Sequence, residues 1–221
     1  MATQQNVTII QQGEQASALS HKVLRNTYAL LSMTVLFSGA VAMFSMANNL
    51  PHPGLLITLV GYFGLLFLTS KTRNSGWGIV SVFALTGFMG YTLGPILSAY
   101  WAAAPAVVGQ ALLGTGAIFA GLSGYALITR KNFSFLGGTL FVGILVAFLA
   151  GLGAIFFEIP ALSLAVSALF VLLMSGLILF ETSNILHGGE TNYIMATVSL
   201  YVAIFNLFTS LLHLLGFMQD E

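Results

Sequence analysis

Glu181 closes the apolar run Ala161–Phe180 and is followed at once by Thr182, Ser183, Asn184 and His187. On a helix, positions 181, 184 and 188 share one face and 180, 183 and 187 another, so Glu181 and Asn184 point the same way. An ionisable side chain at membrane depth is expensive to keep, and where one persists it marks an ion or proton path. One reading is therefore a proton- or cation-sensitive carboxylate at a pore mouth. The plainer reading is a helix-end carboxylate that reaches back to water. The residues by themselves leave both open. Asn206, near the middle of the last apolar run, is expected to be a polar bond between helices rather than an ion ligand. His213, toward the far end of that run where a histidine can reach headgroups, is expected to be a satisfied interfacial histidine, while Glu158, Glu190 and His52 read as solvated loop residues.

A second constellation fails on depth. Gly121-Leu122-Ser123-Gly124 has the form of an intramembrane serine nucleophile, with His213 as its only conceivable base. The run holding Ser123 ends near it, however, whereas His213 lies 21 residues into the final run, about 30 Å across the bilayer. A base must come within roughly 3 Å of the proton it takes, so Ser123 reads as a helix-packing serine. No lysine falls inside a span to form a Schiff base, and there is no nucleotide-binding motif or His/Cys cluster. The chain is expected to be a non-enzyme without a cofactor or resident metal.

The elements that must position these residues are membrane spans. About 20 apolar residues at 1.5 Å each cross roughly 30 Å of hydrocarbon, and the segments that meet this are Thr27–Ala47, Pro53–Ser70, Gly76–Ser98, Ala106–Ile128, Phe135–Phe157, Ala161–Leu186 and Asn192–Phe217. Pro51, Pro53, Pro105 and Pro160 fall in or beside the turns, where a missing N–H costs least. The expected organisation is a polar tail over 1–26, an all-α seven-span membrane domain over 27–217 and a short acidic C-terminus over 218–221. Small residues four apart, Ala117/Gly121 and Gly143/Ala147/Gly151, predict close helix packing.

Charge sets the orientation. All six basic residues alternate with the turns: Lys22 and Arg25 precede the first span, Lys71 and Arg73 follow the second, and Arg130 and Lys131 follow the fourth. By the positive-inside rule this predicts a bacterial inner-membrane protein with a cytoplasmic N-terminus and, after an odd number of spans, a periplasmic Asp220–Glu221. Trp77 is expected in the inner aromatic belt and Tyr100–Trp101 in the outer one. Loop Gly188–Asn192 carries no lysine or arginine, so the last element is oriented only by its length and apolarity. Composition agrees: 57% of the 221 residues are hydrophobic and 5% charged, against about 25% charged in soluble domains. With zero net charge nothing suggests a nucleic-acid partner, and the absence of cysteine excludes disulfides.

One stretch carries a family likeness. Gly90-Tyr-Thr-Leu-Gly94-Pro95-Ile-Leu97, followed by Val107-Val108, Ala111 and Thr115-Gly116-Ala-Ile118-Phe119, resembles the signature of the Bax inhibitor-1 (TMBIM, UPF0005) family. Phe180-Glu181-Thr182 and Ser199-Leu-Tyr201…Asn206-Leu-Phe208…Ser210 are similar to its sixth- and seventh-span motifs. Physically, Pro95 removes a helical hydrogen bond at membrane depth, which is tolerable only where a neighbour satisfies the freed carbonyl. The resemblance implies a bundle with a central last helix. It further implies a pH-sensitive calcium leak in some members, tied to two acids on the last two spans that share a proton. Glu181 stands at the first of those positions, but the second is Ala203, and Glu190 lies 13 residues away, about 20 Å along a helix. Arg73, or Lys71 in its place, is the expected cationic partner of Glu181. In length and polar tail the chain is most similar to the family's bacterial branch, which implies a modulator of the membrane protease FtsH. Such a protease would grasp the tail, whose 26 residues reach on the order of 80 Å when extended.

Overall fold

Every stretch read as a span forms a helix, because apolar runs in lipid must satisfy each backbone group within the segment. The computed structural model describes residues 18–219 in full and the helical backbone of 2–17. Met1, Asp220, Glu221 and the side chains of 2–17 lie outside the described residues, and with them most of the expected tail and the acidic end. The helices are α1 (Ala2–Ala47), α2 (Leu55–Thr72), α3 (Trp77–Ala103), α4 (Pro105–Thr129), α5 (Leu136–Phe156), α6 (Pro160–Leu186) and α7 (Tyr193–Phe217). All seven are long and apolar enough to cross a membrane. The described part of the expected tail, Ala18–Asn26, forms turns of α1 itself.

The largest boundary difference lies between α3 and α4. A turn was expected over 99–105, yet Tyr100 and Trp101 belong to the last turn of α3, and a single residue, Ala104, makes the corner. Its N–H donates to the Tyr100 carbonyl, and Pro105 starts α4 at a position where a missing N–H costs nothing.

α7 is the central helix. It packs against α1, α3, α4 and α6, and it runs from Asn192, which touches the α2–α3 loop, to Gly216, which lies against Tyr100 at the end of α3. It therefore crosses the full bundle and does not turn back. α1 lies along α3, and α5 along α6; α2 touches chiefly α3 and buries only Thr69.

The α1–α3 seam is set by two glycines. A Cβ on Gly90 would overlap the Ser38 carbonyl, and one on Gly94 would overlap the Ser45 side chain. The missing side chains let the two backbones meet, which is what holds helices together where lipid supplies no hydrophobic drive. The expected stripe on α5 is also at an interface: Gly143 faces Leu173, Ala147 is fully buried and Gly151 faces Val166. The pair on α4 is not. Ala117 and Gly121 are exposed, and no heavy atom lies within 4 Å of where a Gly121 Cβ would stand. Spacing on α4 reported smallness without contact.

Candidate functional site

The basic loops converge at one end of the bundle, where the α6–α7 loop ties them together. The Asn192 side chain accepts from the N–H groups of Ile194 and Met195, capping α7. Its amide nitrogen donates to the Arg73 carbonyl at 3.1 Å and to Asn74 Oδ1 at 2.9 Å, in the α2–α3 loop. Ser183 Oγ donates to the Lys131 carbonyl and accepts from Phe133 N–H, which holds the α4–α5 loop to α6. His187 Nε2 lies 3.2 Å from the Arg130 carbonyl, and Gly188 neighbours Ser20 of α1. Arg130 adopts a left-handed conformation (φ 50°), which bends the chain out of α4 so that its carbonyl faces this junction.

Glu181 sits half-buried just inside this junction, on α6. Its carboxylate lies beside the Asn184 amide on its own helix and the Ser199 hydroxyl of α7. Glu190 comes close enough for the two carboxylates to repel, and its Oε1 is held by the Asn192 N–H at 2.7 Å. Beside Glu181, Thr182 joins three helices. Its hydroxyl is 3.2 Å from Tyr28 Oη of α1 and 3.4 Å from Ser123 Oγ of α4. A carboxylate thus lies between α6 and α7, a few residues from the basic end and next in sequence to a three-helix hydroxyl cluster.

The other candidates are scattered. The Arg73 and Lys71 side chains are exposed, and the partners of Glu181 are Ser199 and Asn184 rather than either cation; Arg73 joins the junction through its backbone carbonyl. Asn206 does not bridge helices. Its amide donates to Val202 O one turn earlier in α7, which satisfies it locally. His213 is satisfied, as expected, its Nδ1 lying 2.8 Å from the Ser167 hydroxyl of α6. Ser123 and His213 thus have separate partners, and Ser123 is the packing serine expected. Ala203, at the position where a second acid was looked for, is fully buried among Met174, Ile178 and Leu207. The signature residues fall elsewhere: Gly90, Gly94 and Pro95 form the α1–α3 seam, and Thr115 bonds its own helix at the Ala111 carbonyl.

Sequence reasoning missed Ser199, Tyr28 and the approach of Glu190 to Glu181, since each depends on how separate helices register. Asn192 was within reach, because an asparagine immediately before an apolar run is a helix-start signal.

Comparison with known proteins places the whole arrangement in context. The family model described as "Inhibitor of apoptosis-promoting Bax1" matches residues 20–220. The chain is 57% identical over 210 residues to "Modulator of FtsH protease YccA" of Escherichia coli K12, covering 94% of this chain and 96% of that one. It is 55% identical over 196 residues to an uncharacterised protein of Pseudomonas aeruginosa, covering 88% of each. An uncharacterised membrane protein of Vibrio cholerae is 46% identical over 205 residues, covering 91% of this chain and 92% of its own.

Proposed function

The chain belongs to the Bax inhibitor-1 family, and from that premise we propose that it restrains an FtsH-type protease within the bacterial inner membrane. The observation that carries this reading is similarity along nearly the full length of both chains to a protein named as a modulator of that protease. A relative bears the name of an inner membrane protein, and the alternation of basic loops supports a cytoplasmic N-terminus and a periplasmic C-terminus.

The mechanism we propose starts at the polar N-terminal segment, which the protease grasps. Pulling then loads α1 directly. α1 is seated against α3 at Gly90 and Gly94, bonded to α7 through Ser38 and Tyr201 at 2.6 Å, and bonded to α6 through Tyr28 and Thr182. A segment that is easily gripped but joined to a helix that is hard to extract occupies the protease without feeding it.

The second reading is a calcium or proton leak gated around Glu181, favoured by the carboxylate's place between α6 and α7. Ala203 weighs against it, since apolar side chains fill the space where a second acid would stand. The deciding experiment co-reconstitutes the protein with the protease in liposomes, then follows degradation of a membrane substrate and calcium entry together. Slower degradation that needs residues 3–20, with no calcium entry, supports the protease reading. A leak altered by Glu181→Gln, with degradation unaffected, sinks it.

A further inference from the structure

Between α1 and α4 the bundle leaves a groove of about 620 Å³. It exists because α1 packs chiefly on α3 while α4 packs on α7 and α6, so the outer faces of α1 and α4 stay apart and α7 forms the floor. Leu36 and Met43 on one rim and Leu112 on the other are exposed at 74%, 68% and 58%, so the groove opens sideways into the bilayer. We propose that it is a binding site for one anionic phospholipid, with an acyl chain along the groove and the phosphate at Arg25.

The chemistry of the walls selects hydrocarbon. Five hydroxyls line the groove, and each has a protein partner. Ser32 donates to the Tyr28 carbonyl and Thr115 to the Ala111 carbonyl, Tyr28 shares its bond with Thr182, and Ser38 and Tyr201 bond each other. No wall group is left seeking a polar ligand or a hydrated ion.

Size selects a chain over a helix. The α1 wall runs from Tyr28 to Met43, about 22 Å of helix. A polymethylene chain about 4 Å across, the carbon contact distance, fills on the order of 280 Å³ over that length. A helix about 10 Å across needs on the order of 1,700 Å³ over the same length. The groove can enclose the first whole but only about a third of the second.

Charge selects the headgroup. Tyr28, Ser32, Gly39 and Met43 follow one face of α1, and stepping back three residues from Tyr28 places exposed Arg25 at the head of that face, with Lys22 a further turn out. One end of the groove, at Tyr28, thus lies about a turn of helix from Arg25, where a phosphodiester would sit.

Native mass spectrometry of the detergent-solubilised protein, titrated with phosphatidylglycerol or phosphatidylcholine, tests the proposal. One phosphatidylglycerol should bind per chain in preference to phosphatidylcholine. Arg25→Gln should lower its affinity about five-fold, and Arg25→Lys should restore it. Gly39→Leu and Gly116→Leu, on opposite walls where an added Cβ meets nothing within 4 Å, should each fill the groove and lower binding on the order of tenfold. Gly64→Leu on α2, equally open and outside the groove, should leave binding unchanged. Equal binding of the two lipids, or binding untouched by both wall substitutions, overturns the proposal. So does a photo-crosslinker at Leu112 that captures a polypeptide in native membranes rather than lipid.

Discussion

Ser45 of α1 donates its hydroxyl to the Tyr91 carbonyl of α3 at 3.1 Å. That carbonyl would receive the N–H of residue 95 in an unbroken helix, but residue 95 is proline. α1 thus supplies the donor that Pro95 withholds, and α3 continues through the proline to Ala103. Tyr91 also reaches outward, its phenol donating to the Pro51 carbonyl in the α1–α2 loop. This places the proline toward the end of the bundle away from the basic loops. Ser45→Ala should leave the carbonyl orphaned and cost about 1 kcal/mol, read as a lower denaturant midpoint in detergent. Pro95→Ala should restore the helical bond and make the same serine substitution nearly neutral, a coupling that a double-mutant cycle measures.

Gly90 and Gly121 make a matched pair of opposite expectation. Gly90→Ala drives a methyl into the Ser38 backbone and should destabilise by about 1–3 kcal/mol. Gly121→Ala meets open space and should be neutral or stabilising by up to about 1 kcal/mol. Thermal unfolding of the two variants side by side checks both.

If extraction of α1 limits the protease, loosening its seam converts a restraint into a meal. Gly90→Ala and Ser38→Ala should shorten the protein's lifetime in the presence of the protease and speed degradation of a competing substrate. Gly121→Ala should change neither. A pulse–chase of the variants with active and inactive protease reads the difference; equal lifetimes would remove α1 from the mechanism.

Asn192 caps α7 and links it to the α2–α3 loop through two bonds. Asn192→Ala should cost about 1 kcal/mol for the lost cap and increase hydrogen exchange in Arg73–Gly76. Asn192→Asp keeps the cap but not the amide donors, so it should protect α7 while leaving the loop free.

How much of this was legible follows from where each interaction begins and ends. The spans, their order and the alternation of charge depend on composition along the chain, so they could be read directly. The Glu181–Asn184 pair lies within one turn of one helix and was legible for the same reason. Gly90 and Gly121 look alike in sequence, and only the meeting of α1 with α3 distinguishes them. Ser38 and Tyr201 are 163 residues apart, and no local pattern couples them. Asn206 misled for a related reason. A polar side chain in a span must be satisfied, but sequence does not say whether its own helix or a neighbour does it.

The helix at the centre of the bundle leaves the ribosome after the helices that surround it. At about 5–20 residues per second, the first six helices are in the membrane for several seconds before α7 is complete. Through that interval α1, α3, α4 and α6 surround a place that nothing yet fills, and Ser38 waits for a phenol not yet made. A nascent chain stalled before Tyr193 would therefore present the membrane with an open ring in place of a folded body.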